Sequence, residues 1–154
     1  MIDYSKLQID VIKNLCKGSL TNKFCYTDNG ILLTDSDATT AILIPKDKFI
    51  LDTSKFVFNE LKSLKDLIKE DVTQCIDNGL EKFIKPGLTA HIFTYDDKEF
   101  YVNSKKLKTI GYDKSIYTVK TNIDKKYPPL QFYIDDRFVG MICPIKRDIF
   151  KILK

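Results

Sequence analysis

Between positions 7 and 16 the apolar residues Leu7, Ile9, Val11, Ile12, Leu15 and Cys16 recur among Lys6, Asp10, Lys13, Asn14 and Lys17. Mixed three- and four-residue spacing of this kind gathers apolar side chains on one stripe of a helix, and Gly18 supplies the residue that most easily ends one. Residues 23–27 and 31–34 are short β-prone runs joined by Asp28-Asn29-Gly30. Asn-Gly readily takes the positive φ angles of a tight turn, so this spacing predicts a hairpin. Residues 39–44 form a third run rich in branched side chains and stopped by Pro45, which gives a helix followed by a three-strand meander. Residues 56–69 then carry Val57, Leu61, Leu64, Leu67 and Ile68 at helical period among lysines, predicting a second amphipathic helix that ends near Glu70-Asp71.

Strands are expected at residues 72–76 and 88–95, around a loop holding Asn78-Gly79 and Pro86-Gly87; Asp96-Asp97-Lys98 turns the chain into a strand over 99–102. Residues 103–111 offer Asn103 as an N-cap, a short helix and Gly111 as its stop. Three strands follow at 115–120, 130–134 and 138–143, the last two joined by Asp135-Asp136-Arg137. One helix-then-three-strand segment therefore lies at about 5–44 and another at about 99–146, with 45–98 between them. The expected fold is a single α+β domain over 1–154, mostly antiparallel sheet with two or three helices.

A chain of 154 residues buries roughly two thirds of its unfolded surface, so no disulfide or metal is needed to hold it. With 44% hydrophobic and 30% charged residues, six glycines and five prolines, the composition is that of a globular protein. No apolar run approaches the ~20 residues that cross a bilayer, and Met1-Ile2-Asp3-Tyr4-Ser5 lacks the pattern of a signal peptide, so a cytoplasmic protein without a membrane partner is expected. Cys16, Cys25, Cys75 and Cys143 form no C-x-x-C pair and are expected as small buried thiols rather than a disulfide or zinc set.

Charge is unevenly spread. Residues 1–77 carry ten lysines against twelve carboxylates, net −2, whereas residues 78–154 carry fifteen basic and nine acidic side chains, net +6. Between Asn103 and Lys126 seven lysines face only Asp113 and Asp124. Such a segment suits phosphates, although a solvated lysine-rich face has the same composition. Tyr112, Tyr117 and Tyr127 fall within or beside it; aromatics among lysines can stack single-stranded bases, and strands also need core aromatics.

Catalytic signatures are sparse. His91 is the only histidine and lies in a strand-like run, and no glycine-flanked G-x-S-x-G nucleophile is present. Neither a G-x-x-x-x-G-K run nor a G-x-G-x-x-G run occurs, which removes the usual phosphate cradles. Asp35 with Asp37, Asp96 with Asp97 and Asp135 with Asp136 would suit Mg²⁺-dependent nuclease chemistry if they converged. Each pair also falls between strand-like runs, where aspartate serves turns. The reading is of a protein that is not an enzyme, with no cofactor and no metal ligands.

From Tyr101 onward the residues Tyr101-Val102-Asn103-Ser104-Lys105-Lys106-Leu107-Lys108-Thr109-Ile110 are followed by Pro128-Pro129-Leu130-Gln131-Phe132-Tyr133-Ile134. The chain then closes with Phe138-Val139-Gly140-Met141-Ile142-Cys143-Pro144-Ile145-Lys146-Arg147. Over about 45 residues this resembles the last domain of bacterial sliding clamps, the β subunit of the replicative DNA polymerase. Ile142-Cys143-Pro144-Ile145-Lys146 is a loose counterpart of the family's closing apolar-Met-Pro-Met-Arg-like signature. Clamps are longer chains of three such domains, and residues 45–97 have no place in the pattern.

The resemblance implies a DNA-clamp-like fold whose helical face looks toward duplex DNA. Carried over residue by residue, the nucleic-acid-binding positions are Lys13, Lys17, Lys105, Lys106 and Lys108. It also implies an apolar groove for partner peptides, for which no residue here is matched. The expected role is a non-catalytic clamp-like module associated with DNA or replication machinery. A small protein-binding regulator or phage-type inhibitor using the same fold is the alternative, its partner being another protein, and a metal-dependent nuclease is a third. A single such domain closes a ring only by self-association through sheet edges.

Overall fold

The first helix, α1 (Tyr4–Cys16), starts where the Asp3 carboxylate accepts the Lys6 N–H at 2.9 Å, an N-cap that stabilises a helix by about 1 kcal/mol. The structure is a computed structural model that describes residues 1–19, 21–52, 59–68 and 71–146. Two compact units divide the chain, residues 1–68 and 69–154. Each unit holds one of the helix-plus-three-strand segments, and the intervening 45–98 is shared between them.

In the first unit the helix buries Gln8 and Val11 and packs Tyr4, Ile12 and Leu15 against Phe24, Ile31, Leu33, Ile44, Phe49 and Leu51. This stripe is rotated from the expected one. Ile9 is 45% exposed and Cys16 is also exposed, because each follows a core-side position by about 100° of helix. Antiparallel strands β1 (Lys23–Thr27), β2 (Gly30–Thr34) and β3 (Thr40–Ile44) form the expected meander.

The β1–β2 connection differs in detail from the expected Asn-Gly turn. Thr27 pairs with Gly30, leaving Asp28 and Asn29 as a two-residue loop, and neither is at positive φ. Gly30 is required for another reason: a Cβ there would lie 2.3 Å from the Ile44 carbonyl oxygen on β3.

The second amphipathic helix expected over 56–69 is not formed in its described part. β4 (Asn59–Glu60) instead pairs in parallel with β1, and Lys62–Leu67 is a 3₁₀ helix with Leu64 buried. Leu61, Leu64 and Leu67 recur at three residues, which is the 3₁₀ period. The Leu61 N–H is committed to the Phe24 carbonyl at 2.9 Å, so pairing with β1 overrides local helix propensity. Positions 56–58 and 69 lie outside the described residues.

In the second unit β5 (Thr73–Lys85), β6 (Leu88–Tyr95), β7 (Lys98–Asn103), β8 (Tyr117–Thr121), β9 (Leu130–Ile134) and β10 (Arg137–Ile142) follow in chain order. The sheet runs β10-β9-β8-β5-β6-β7 with every neighbouring pair antiparallel. A short helix, α2 (Ser104–Thr109), packs on β6 and β7. The fold class is thus α+β with mostly antiparallel sheet.

Two turns follow their residues closely. Pro86-Gly87 joins Lys85 to Leu88 with Gly87 at φ 81°, and Asp135-Asp136 joins Ile134 to Arg137 with φ 47° and 60°. Asn78-Gly79 does not make the expected loop. It lies inside the thirteen-residue β5, where Asp77 opposes Phe93 and Glu81 opposes His91, so four steps on β5 span two on β6. That is a bulge, with Gly79 at φ 70°.

Of the four cysteines, Cys25 and Cys75 are buried as expected, whereas Cys16 and Cys143 are exposed. Burial pushes the Cys75 thiol up to about 11 and so keeps it protonated at neutral pH. Among the described residues no helix is long and apolar enough to cross a membrane.

Gln8 is the buried polar centre of the first unit. Its Nε2 donates to the carbonyls of Tyr4 at 3.0 Å and Lys48 at 2.8 Å, and its Oε1 accepts from the N–H groups of Ile50 at 2.7 Å and Leu51 at 3.3 Å. One amide therefore ties residues 48–51 to α1. Gln8→Ala strands those backbone groups and is expected to cost about 2–3 kcal/mol in urea unfolding. Because no ionisable group is involved, the loss should be the same at pH 5 and pH 8.

Candidate functional site

The lysine-bearing helix of the second unit is defined at both ends by its own residues. Asn103 caps it, its side chain accepting the Lys105 N–H at 3.0 Å. Gly111, at φ 61°, ends it. The Gly111 N–H reaches the Lys108 carbonyl and the Tyr112 N–H reaches the Leu107 carbonyl, both at 3.0 Å, which is the paired bonding of a Schellman stop. The N-cap and stop match the sequence reading. Its consequence is that Tyr112 is turned back toward the sheet.

Leu107 and Ile110 are buried beneath α2, and Lys105 and Lys108 are exposed on its opposite side. Lys106 is half-buried: at 100° per residue it falls nearer the buried stripe than the other two lysines do. Of the three α2 lysines carried over from the clamp resemblance, Lys105 and Lys108 are thus the exposed ones. Lys105 and Lys108 line a cavity of about 280 Å³ with Glu81, Gly87, Thr89 and Ser104. Lys13 and Lys17 belong to the first unit, at the end of α1; both are exposed, and Lys13 is 3.6 Å from Asp10.

Below α2 lies a polar network that sequence reasoning missed. The Asp77 carboxylate accepts the Tyr112 hydroxyl at 2.6 Å on one oxygen, and the Gly79 N–H and His91 Nε2, both at 2.7 Å, on the other. An ionised carboxylate only accepts, so His91 carries its proton on Nε2. The other ring nitrogen, Nδ1, is 3.9 Å from Glu81, which accepts the Ser104 hydroxyl at 3.1 Å. Ser104 thus bonds to Glu81 and not to His91.

The network sits in an aromatic cluster. Tyr112 meets His91, Phe93, Tyr117 and Phe132 with ring centroids 5.5–6.0 Å apart. The Tyr117 hydroxyl donates to the Ile110 carbonyl at 2.5 Å, satisfying the end of α2. Tyr117 is buried in this cluster and Tyr112 half-buried in it, while Tyr127 is half-buried elsewhere, with Lys126 and Lys146 within 6 Å of its ring.

Burial alone would raise the Asp77 pKa, but the bonds from Tyr112, Gly79 and His91 outweigh it and hold the carboxyl below its ordinary range. Burial, then the adjoining Asp77 charge, pushes the Tyr112 hydroxyl far up. Both groups are fixed in the protonation states that sustain their bond.

The aspartate pairs serve turns. Asp35 accepts the N–H groups of Thr39 and Thr40 at 3.0 and 3.1 Å, Asp37 accepts the Thr39 hydroxyl at 2.8 Å, and Asp96 and Asp135-Asp136 take positive φ between strands. Among the described residues no group of three or more His, Cys, Asp or Glu side chains is placed to hold a metal ion.

Comparison with protein-family models, with curated proteins and with solved structures finds no match for the chain.

The Asp77 network sets a pH dependence. Its folded pKa lies below the unfolded value, so its stabilisation is full above about pH 4 and fades as the pH falls through the lower folded value. Asp77→Asn, which removes the charge and replaces one accepting oxygen by an amide nitrogen, is expected to lose about 2 kcal/mol at pH 7. Denaturant unfolding across pH 2–7 should show that difference shrinking steadily below about pH 4.

Proposed function

We propose that this chain is a non-catalytic, clamp-like module that associates with duplex DNA or with replication machinery, using the lysine face of α2. The observation that carries the reading is the exposure of Lys105 and Lys108 on one side of a helix whose other side and both ends are fixed. Lysine supplies mobile point charges to phosphates without reading base edges, so the binding is independent of sequence. A pre-ordered helix loses little freedom on contact, which favours binding even with few charges. The resemblance of residues 101–147 to sliding clamps supports the same direction, with Lys106, Lys13 and Lys17 as further contacts.

A second reading has its own support. Ile76, Leu80 and Phe83 on β5 are 61%, 56% and 69% exposed, and the net charge of +4 is modest for a DNA binder of this size. Exposed apolar side chains spread along one strand suit a small regulator or phage-type inhibitor that binds another protein.

Fluorescence anisotropy with a labelled duplex separates the two. The DNA-associated reading expects sequence-independent binding that weakens steeply with salt. The double variant Lys105→Glu/Lys108→Glu should bind at least about tenfold more weakly, with the salt slope reduced by about 2. Unchanged binding in that variant rejects the α2 assignment. No duplex binding at physiological salt, with a stable complex pulled from host extract, supports the protein-binding reading.

A further inference from the structure

A second cavity in the 69–154 unit has a composition unlike that beside α2. It encloses about 460 Å³ between residues 98–101 of β7, the segment 123–127 and Pro144-Ile145. The Lys98 ammonium donates to the Ile123 carbonyl at 2.8 Å and so ties the two walls together while keeping its charge at their junction. Lys125 and Lys126 stand exposed on the second wall. Tyr127 is half-buried there, with the ammonium of Lys126 5.4 Å and that of Lys146 5.9 Å from its ring centre. Glu99 and Asp124 are the acidic members, and Glu99 accepts the Tyr101 hydroxyl.

We propose that this cleft binds single-stranded nucleic acid, taking one unpaired base against Tyr127 and the adjoining phosphates on Lys125, Lys126 and Lys146. Four ammoniums against two carboxylates give the site an anionic preference, and the tyrosine with Ile123, Pro144 and Ile145 gives it an apolar one. A nucleotide meets both requirements: its phosphate is charged, and its base is a flat apolar surface that stacks on an aromatic ring. The volume lies in the range of sites for one small ligand, and stacking on the tyrosine needs the open face of a base, which a duplex keeps covered, so the base must be unpaired. Choosing a nucleic acid over an acidic peptide rests on the DNA-associated reading and on the use of the tyrosine ring.

The test uses the full chain, fluorescein-labelled oligothymidylate, a duplex of equal length, and polyglutamate as competitor. Oligothymidylate should bind with strong salt dependence. Tyr127→Ala should weaken it about ten- to a hundredfold, and Tyr127→Phe, which keeps the ring, should restore it. Lys125→Glu/Lys126→Glu, at exposed positions where folding is undisturbed, should weaken it and flatten the salt slope. Lys105→Glu/Lys108→Glu should leave oligothymidylate binding intact while lowering duplex binding. Equal affinity of wild type and Tyr127→Ala, or displacement by polyglutamate as readily as by unlabelled oligothymidylate, overturns the proposal. Duplex binding without oligothymidylate binding also overturns it and leaves the α2 reading standing; the reverse outcome removes the α2 reading alone.

Discussion

The buried carboxylate of Asp77 is the constraint from which the geometry of the second unit follows. Its three donors come from separate parts of the chain: the Gly79 N–H within the β5 bulge, His91 on β6, and Tyr112 just beyond α2. Hydrogen bonds to a charged group stabilise by about 1.5–3 kcal/mol each, and a buried charge left without them is severely unfavourable. The carboxylate therefore demands all three partners together. Meeting that demand places the bulge where it is and seats the Tyr112 ring among Phe93, Tyr117 and Phe132. Since Tyr112 is the residue that closes the Schellman stop, the same carboxylate fixes how α2 lies on the sheet and which lysines it turns outward.

The first unit solves the equivalent problem with a neutral group. Gln8 reaches from α1 to the backbone of residues 48–51, filling donor and acceptor sites at once. An amide needs no ionisation to do this, and a carboxylate does. The two units accordingly differ in how they answer acid: the Gln8 tie persists while the Asp77 tie weakens. Both show a helix held by a polar side chain that bridges elements distant in sequence, with apolar packing around it.

What was legible in the sequence was local. Asn103 and Gly111 announce the ends of α2, Asp135-Asp136 announces its hairpin, and the β-prone runs give most strands to within two residues, whereas β5 runs on to Lys85 through the loop expected before Leu88. What escaped depends on distant partners. Leu61, Leu64 and Leu67 fit a helix until Leu61 is seen bonded to Phe24, and Asn78-Gly79 looks like a turn until Asp77 is found opposite Phe93. Gln8 and Asp77 look like surface residues because their partners lie about 40 residues away in one case and 35 in the other. The lysines of α2 could be named from their spacing, but the half-burial of Lys106 needed the helix to be seated. Tyr127 differs from Tyr112 and Tyr117 only in the surroundings that the fold gives it.

Hydrogen exchange by NMR at neutral pH, comparing the wild-type chain with Asp77→Asn, addresses the anchoring role of this carboxylate most directly. Anchoring by Asp77 predicts that the amides of Gly79, Ile110 and Tyr112 lose protection together, while those of Val119 and Phe132 in β8 and β9 keep theirs. Undiminished protection of the α2 amides in the variant would contradict it, because the helix would then be seated without Asp77.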